Sequence, residues 1–495
     1  MSSLSSLRNI GESLNPVFIK EMRQYFQNRR MLIFMGVLLI AQFICALFFS
    51  SAMKFDAGDD SGVGFFLLII FAGAILSILI CAVGAEQRFA EERSDKELNY
   101  SMLTTLSPAS IIWGKLAGAM VMILCIFSML LPFLTAAYFM RGISAASLLL
   151  TLYIFPVLVL NTLAGIFAGA FGQKWITILY FIGIINFGLG ITPFAFSIAE
   201  DLMESNATEP GFWIALLIEY EVAILIGVLF FLLALAVVSP PKSNRFFATK
   251  IYLFALPFLT LILIAPYYII FAGPGYPPEM FYSVEFIACA FSIAVLAVIA
   301  LFETPTNSIR VYMKCPRGFI GRRLHFLFSS GFSGSVGLIF PILTIPAALT
   351  PLADLSVRET EIACGFLCIL MTFLGYVILS LILSWRTRLS LPAWLWTIIL
   401  VVTGNILPWI PVAVNEGALD SKPMRIVCML VSQTYSLAEI FDAPGENICI
   451  PTLMISSAIT VGLFLLLLPA INKAFRQHHY PEITAKPPTK EMLGK

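Results

Sequence analysis

The sequence predicts an all-α polytopic membrane protein, a bundle of about 12 transmembrane helices. Hydrophobic residues make up 59% of its 495 residues, charged residues make up only 12%, and the mean hydropathy is +0.92. Soluble globular proteins are about 45–50% apolar and about 25% charged. A soluble fold of this length would therefore have too few polar side chains to cover its surface, and we expect lipid to surround most of the chain.

Long apolar runs locate the individual spans, because a helix needs roughly 20 apolar residues to cross a bilayer. The predicted spans are 31–53, 63–85, 115–139, 146–171, 175–198, 212–238, 249–272, 280–302, 329–352, 361–384, 393–414 and 450–471. The segment 424–441 is shorter and more polar. We interpret it as a re-entrant or interfacial helix in an external loop.

The basic residues predict the orientation of these spans. With the N-terminus inside, only five of the 30 Lys and Arg residues lie outside: Lys54, Arg141, Arg358, Lys422 and Arg425. This asymmetry is what the positive-inside rule describes. A further span at 424–441 would carry the basic C-terminal tail across the membrane. We therefore expect both termini in the cytoplasm and the protein in a bacterial cytoplasmic (inner) membrane.

The order of spans and loops suggests two six-helix halves. Each half has two spans followed by a long charged cytoplasmic loop, at 86–114 and at 303–328. This is an argument from hydropathy, of the kind that internal repeats in transporters produce. The predicted regions are a cytoplasmic segment 1–30, a first half 31–238, a linker 239–248, a second half 249–472 and a cytoplasmic tail 473–495.

Composition and motifs exclude several function classes. A net charge of +1 gives no basic field for nucleic acid. Most of the nine cysteines lie in apolar stretches and have no nearby histidine, so we expect no metal site. No Gly-x-x-x-x-Gly-Lys-[Ser/Thr] or His-Glu-x-x-His pattern occurs. The polar N-terminal region is also unlike a cleavable signal. We expect no catalytic residues and no cofactor in this chain.

The residues before the first span predict an amphipathic helix at the inner membrane surface. Asn15 is a good N-cap and Pro16 suits the first helical turn. The predicted apolar face consists of Phe18, Met22, Tyr25 and Phe26, and the opposite polar face consists of Lys20, Arg23, Gln24 and Gln27. Such a helix either anchors the chain in the interface or acts as a lever between a cytosolic partner and the spans.

The loop after the second span is the most informative segment. A charged patch leads into a row of apolar residues and then a chain break, in the order Glu91, Glu92, Arg93, Leu98, Met102, Leu103, Leu106, Ser107 and Pro108. A short helix with a charged start and an apolar face suits docking into a groove of another protein. An ordinary solvated loop is the alternative.

This loop resembles the cytoplasmic loop of type-2 ATP-binding-cassette exporter permeases. The matching elements are Glu92-Arg93, the Leu-rich segment 98–103, Leu106-Ser107-Pro108, Ile111-Ile112 and Gly114-Lys115. The entry segment, with Asn15-Pro16, Lys20-Glu21 and Arg23-Gln24, is also similar to the opening of these permeases. Lys96 and Thr105 depart from the family pattern.

The resemblance implies a function and partners. In the family this loop forms the coupling helix that contacts the ATPase, so that role would fall to 91–107. Two copies of an ATPase subunit would then supply ATP and Mg²⁺ chemistry. Family members usually have six spans and pair, so about 12 spans imply a fused pair, and a second permease chain is a further candidate partner.

Two other regions are candidates for function. The second loop, 303–328, is either another coupling element or a set of charges that fixes orientation at lipid headgroups. Glu219, Glu221 and Glu285 interrupt predicted spans. They are candidates for a transport path, with interhelical structure as the alternative.

The leading hypothesis is therefore the membrane-spanning permease subunit of an ATP-binding-cassette exporter. A twelve-span secondary transporter is the first alternative, although the loop 86–114 lacks the major-facilitator pattern. A membrane-embedded enzyme for lipid-linked substrates is the second alternative.

Overall fold

The computed structural model describes most of the apolar segments and the turns next to them. The described residues are 15–27, 29–52, 61–95, 106–139, 151–173, 176–178, 180, 210–240, 243–271, 279–303, 316, 318–329, 331–349, 357–386, 393–406 and 449–479. Within these ranges the chain forms helices and connecting turns, with no strand. The chain divides into two compact units, Met1–Ser239 and Pro240–Lys495.

The first unit contains seven α-helices and one π-helical segment in its described part. In chain order these are α1 (Pro16–Gln27), α2 (Arg29–Ala52), α3 (Ser61–Ser77), the π-helical segment (Ile78–Val83), α4 (Gly84–Ser94), α5 (Pro108–Phe139), α6 (Thr151–Phe171) and α7 (Pro210–Val238). Helix α3, the π-helical segment and α4 follow one another without a break. The second predicted span therefore extends beyond its predicted end at residue 85, as far as Ser94.

Helix α5 is central to this unit, where it packs against α1, α2, α3, α6 and α7. Its apolar side chains fill one core with α3, in which Phe65, Phe66, Met122, Ile123 and Ile126 are almost fully buried. A second core lies between α4, α5, α6 and α7. Burial on several sides of one helix is typical of a helix in the interior of a bundle.

The second unit contains seven α-helices in its described part. They are α8 (Phe247–Phe271), α9 (Glu279–Phe302), α10 (Phe319–Phe328), α11 (Phe332–Leu349), α12 (Val357–Arg386), α13 (Ala393–Ile406) and α14 (Cys449–His479). Helix α9 packs against α8, α11, α12 and α13. It is therefore the central helix of this unit, in the way that α5 is central to the first.

All but one of the predicted spans coincide with a described helix. The exception is 175–198, which lies almost wholly outside the described residues, as does the predicted interfacial helix 424–441. Seven described helices are long and apolar enough to cross a membrane, and the number rises to nine if two sharply bent pairs, α1 with α2 and α10 with α11, are each one span. The chain is a multi-pass α-helical membrane protein. The count of 12 spans stays a prediction.

Helix α1 lies against the start of α5 at a pair of glycines. A Cβ atom added at Gly114 would lie 2.7 Å from the Cβ of Val17 and 2.9 Å from the backbone nitrogen of Phe18. A Cβ atom added at Gly118 would lie 3.0 Å from the Cβ of Glu21. Glycines four residues apart let two helix backbones approach closely in a membrane. The close packing of α1 therefore depends on these two positions.

We expect Gly114→Ala to loosen α1, because the added methyl group has no room beside Val17 and the backbone of Phe18. Overpacking of this kind destabilises by about 1–3 kcal/mol. In detergent, the apparent melting temperature should fall, and trypsin should cleave faster after Lys20 and Arg23 on α1. The matched control is Gly36→Ala on α2, where an added Cβ meets nothing within 4 Å. Equal behaviour of the two variants would contradict the packing described here.

Candidate functional site

The N-terminal end of α1 is fixed to α5 by its capping residue. The side-chain oxygen of Asn15 accepts a hydrogen bond from the backbone N–H of Val17 at 3.0 Å. This is the N-cap that the sequence predicts. The side-chain amide of Asn15 also donates to the carbonyl of Ser110 at 2.6 Å. One residue therefore begins α1 and holds it against the first turn of α5.

Helix α1 buries only part of the face that the sequence predicts as apolar: Tyr25, on that face, is buried. Its buried residues are Glu21 and Tyr25, four residues apart. Phe26, on the predicted apolar face, is 50% exposed. The basic residues Lys20 and Arg23 are exposed, as predicted. The helix thus has a protein-facing edge with a carboxylate at its centre, and Phe26 remains available to lipid.

Lys115 lies at the centre of a buried charge network, here called the Lys115 cluster. The cluster consists of Lys20, Glu21, Arg88, Glu92 and Lys115. The Lys115 ammonium contacts a carboxylate oxygen of Glu21 at 2.5 Å and one of Glu92 at 2.7 Å. Glu21 comes from α1, Glu92 from α4 and Lys115 from α5. One ammonium group therefore joins three helices.

The burial of this cluster determines how much its ion pairs contribute to stability. Only 4% of each of the Lys115 and Glu21 side chains is exposed, and 13% of the Glu92 side chain. Removing one partner of a buried ion pair costs about 3–5 kcal/mol, because the charge left behind is desolvated and unpaired. The three side chains thus form a unit in which each depends on the other two.

Two further cations surround this unit. Lys20 is 42% exposed and contacts the second oxygen of Glu92 at 2.8 Å. The guanidinium of Arg88 lies 3.8 Å from Glu21 and stacks over the ring of Tyr25 at 3.5 Å. Its Nε donates to the carbonyl of Gly84 at 2.9 Å. With three cations and two carboxylates, the cluster carries one net positive charge.

The described residues of the predicted coupling segment lie at the two ends of that segment. Glu91, Glu92 and Arg93 form the last turn of α4 and so continue the second span. Ser107 and Pro108 begin α5, where the hydroxyl of Ser107 accepts a hydrogen bond from the N–H of Ser110 at 3.2 Å. This confirms the predicted chain break at Ser107-Pro108. The predicted docking residues between the ends, Leu98, Met102 and Leu103, lie outside the described residues.

Leu106 differs from the other predicted docking residues, because it is half-buried and packs against the core between α4, α5, α6 and α7. Its side chain therefore stabilises the base of the loop. Glu91 and Ser107, in contrast, are exposed. Glu92, near the end of α4, and Lys115, in the second turn of α5, thus contact each other across the two helix ends that flank 96–105.

A second buried ion pair lies in the second unit, in a group here called the Lys250 cluster. Its members are Lys250, Glu303, Ser329, Gly331 and Ser335. The Lys250 and Glu303 side chains are fully buried and 2.8 Å apart. The Lys250 ammonium also donates to the carbonyls of Ser329 and Gly331, at 2.7 and 3.2 Å. Glu303 accepts from the hydroxyl of Ser335 at 2.8 Å.

Arg245 lies in the turn before α8, near the Lys250 cluster. Burial lowers the pKa of its guanidinium, and the negative charge of Glu303 opposes this shift. Glu303 therefore interacts electrostatically with a second cation besides Lys250. The cluster connects the start of α8, the end of α9 and the corner between α10 and α11.

Each of the three predicted transport-path acids has different surroundings. Glu285 is buried at the start of α9 and accepts hydrogen bonds from Thr260 at 3.0 Å and from the thiol of Cys289 at 3.6 Å. This is the interhelical structural role that was the alternative. Glu219 on α7 has one buried carboxylate oxygen without a hydrogen-bond partner. Glu221, two residues on, is half-buried on a different face.

The side-chain amide of Asn161 on α6 donates to the carbonyl of Val157 in its own helix, at 2.8 Å.

Sequence reasoning missed the central groups of both clusters, namely Glu21, Arg88, Lys115, Lys250 and Glu303. The sequence indicates Glu21 and Lys115 only through the family resemblance, and Arg88 and Lys250 only as orienting charges. One signal was present for Lys115: it stands between Gly114 and Gly118, and small residues at that spacing indicate a close helix contact. No comparable signal connects Lys250 with Glu303, which lie 53 residues apart in the chain.

Neither a metal site nor a disulfide is found in the part of the chain that the structure describes. There, no group of three His, Cys, Asp or Glu side chains could hold a metal ion. The described cysteines Cys45, Cys81, Cys125, Cys289 and Cys368 form no disulfide. Comparison of the chain with protein-family models, curated proteins and solved structures finds no match.

We expect Lys115→Met to destabilise the first unit by about 3–5 kcal/mol, because Glu21 and Glu92 would then be buried without their cation. Glu21→Gln in the same chain should restore part of the loss, since one of the two carboxylates becomes neutral. The measurement is a double-mutant cycle on the apparent stability of the purified protein in detergent.

Lys20→Met is the matched control for this cycle. It removes the exposed partner of the same Glu92, so the loss should be at most about 1 kcal/mol. A loss at Lys20 as large as that at Lys115, or additive effects of Lys115→Met and Glu21→Gln, would show that the buried network does not hold the three helices together.

Proposed function

We propose that the chain is the membrane-spanning permease subunit of an ATP-binding-cassette exporter. It would couple ATP hydrolysis by a separate ATPase subunit to transport of a substrate across the membrane. The observation that carries the proposal is the position of the Lys115 cluster. It lies at the base of the loop whose sequence resembles a coupling helix, and it links that base to the entry helix α1.

The cluster supplies a route for force. In this proposal, nucleotide-driven closure of the ATPase pushes on the loop 96–105. Both ends of that loop are rigid helices, α4 and α5, whose charged groups meet at Lys115. Glu21 passes the displacement on to α1, and α1 is followed after one residue by α2 at a bend of 59°. Movement of the loop would therefore tilt α1 and the first span together.

The orientation and assembly belong to the same proposal. The chain would have 12 spans in two six-helix halves, with both termini in the cytoplasm of a bacterial inner membrane. ATP and Mg²⁺ would bind to two copies of the partner ATPase, and a second permease chain is a candidate for the assembly. The positive-inside distribution of Lys and Arg supports this orientation. In this orientation the Lys115 cluster would lie on the cytoplasmic side.

The alternative of a secondary transporter has less support. Such a protein needs carboxylates near the middle of the membrane that bind the coupling ion. These carboxylates must become accessible first from one side of the membrane and then from the other. Glu285 is engaged by Thr260 and Cys289, so it acts as a structural group. Glu219 and Glu221 lie on different faces of one helix and do not form a shared ion site.

An ATPase should co-purify with the tagged full-length protein from its native host in mild detergent. Leu98→Asp/Leu103→Asp should reduce its recovery at least tenfold, because two charges then stand where the loop is expected to enter an apolar groove. Leu106 is left unchanged, since it packs against the protein's own core. Recovery is measured by quantitative mass spectrometry of the eluate.

The control variant is Lys422→Asp/Arg425→Asp, at positions predicted to be on the other side of the membrane. It introduces the same two carboxylates and should leave ATPase recovery unchanged. Absence of an ATPase from the unmutated eluate, or equal recovery with both double variants, would refute the coupling function.

A further inference from the structure

Helix α10 exposes an unusual combination of side chains. The exposed fractions are 71% for Phe319, 71% for Ile320 and 48% for Leu324. Arg323 is exposed among them, and its guanidinium lies 4.4 Å from the centre of the Phe319 ring. The helix sequence, FIGRRLHFLF, contains two arginines and no acidic residue. One surface therefore offers large apolar groups and positive charge together.

The axis of α10 is almost perpendicular to the helix that follows it. Helices α10 and α11 meet at 103°. The sequence predicts α11 as a span, and a helix perpendicular to a span lies parallel to the membrane surface. Helix α10 is the last part of the predicted basic loop 303–328, so it lies on the side of the membrane that this loop occupies. Its position is that of an interfacial helix.

The Lys250 cluster fixes this corner. Lys250 binds the carbonyls of Ser329 and Gly331, which are the residues on either side of the turn between the two helices. Gly331 has φ of +148°, a conformation that favours glycine. On the other side of the ion pair, Glu303 binds Ser335 in the first turn of α11. The buried ion pair therefore braces the corner that sets the orientation of α10.

We propose that α10 is an interfacial helix that binds the headgroups of anionic phospholipids. The guanidinium of Arg323 would pair with a lipid phosphate, because its planar donors match phosphate oxygens. Arg322, the preceding residue, is half-buried and adds a second cation. Phe319, Ile320 and Leu324 would enter the boundary between headgroups and acyl chains, where apolar area and positive charge both contribute to binding.

A lipid surface fits α10 better than a protein groove does. A partner protein would have to bury Arg323 within an apolar contact, which requires a matched acid and desolvates both charges. At the membrane surface the same arginine extends its charged end into the headgroups while its stem stays among apolar groups. This inference goes beyond the proposed function and stands without it, because lipid binding needs no ATPase.

The test is lipid binding to the purified full-length protein in detergent, followed by native mass spectrometry. Dioleoyl phosphatidylglycerol and dioleoyl phosphatidylcholine are titrated separately. Arg322→Gln/Arg323→Gln should weaken binding of the tightest phosphatidylglycerol about thirtyfold, from about fivefold for each basic residue at an anionic surface. Phosphatidylcholine binding should not change. The single variant Arg323→Gln, expected at about fivefold, serves if the double variant aggregates.

Two control variants separate position from charge. Arg322→Lys/Arg323→Lys keeps the charge and should keep most of the phosphatidylglycerol binding. Lys473→Gln/Arg476→Gln removes two cations at the end of α14 and should change the affinity less than about threefold. A similar loss in this control as in the α10 variant would show only a general effect of charge and would overturn the proposal.

The competing outcome is a protein-docking role for α10. It would appear as unchanged phosphatidylglycerol affinity in Arg322→Gln/Arg323→Gln together with loss of a co-purifying protein. That result would overturn the lipid site. Loss of phosphatidylglycerol affinity with unchanged recovery of other proteins would support it.

Discussion

The first unit depends on one buried ammonium group. Lys115 lies between two carboxylates from different helices, and neither Glu21 nor Glu92 has another cation as close and as buried. Its position follows from packing: the flanking glycines bring α1 against α5, and this contact removes water from the ion pair. Loss of water is what makes the pair strong and its disruption costly. The Lys115 ammonium therefore holds α1 and the end of α4 to the start of the third predicted span.

Both units place a buried lysine–glutamate pair near a helix end, but the pairs hold different structures. In the first unit the lysine fixes an amphipathic helix along the start of α5. In the second, Lys250 fixes the corner from which an amphipathic helix projects. A buried charge with specific partners has few alternative arrangements. Such pairs suit positions where a helix must keep a defined angle relative to its neighbours.

Much of the fold could be predicted from the sequence, because the lipid environment imposes a simple rule on helix length and composition. Apolar runs identified almost every described long helix, and Ser107-Pro108 marked the start of α5. The limits of these helices were less accurate. Helix α4 continues through the charged residues Glu91–Arg93, and the central one of these, Glu92, contacts Lys115. Hydropathy alone cannot recognise a charged helical turn that is neutralised by a distant residue.

The charge clusters could not be predicted for the same reason. Glu21 and Lys115 lie 94 residues apart, and Lys250 and Glu303 lie 53 apart. In the sequence, Glu21 and Lys115 stand out only within the family resemblance, and Lys250 and Glu303 only as charges near the ends of predicted spans. Pairing depends on how helices pack in three dimensions, and the only local indication was the spacing of Gly114 and Gly118. The apolar face predicted for α1 was incomplete because one carboxylate, Glu21, is neutralised by Lys115 and can face the protein.

Hydrogen exchange tests most directly whether Lys115 joins the three helices. It is measured by mass spectrometry on the purified protein in detergent, for peptides that cover 16–27 and 84–95. In Lys115→Met, exchange should increase in both peptides together, whereas Lys20→Met should leave both close to the unmutated protein. Unchanged exchange in 16–27 after loss of Lys115, or an increase confined to one of the two peptides, would contradict the account.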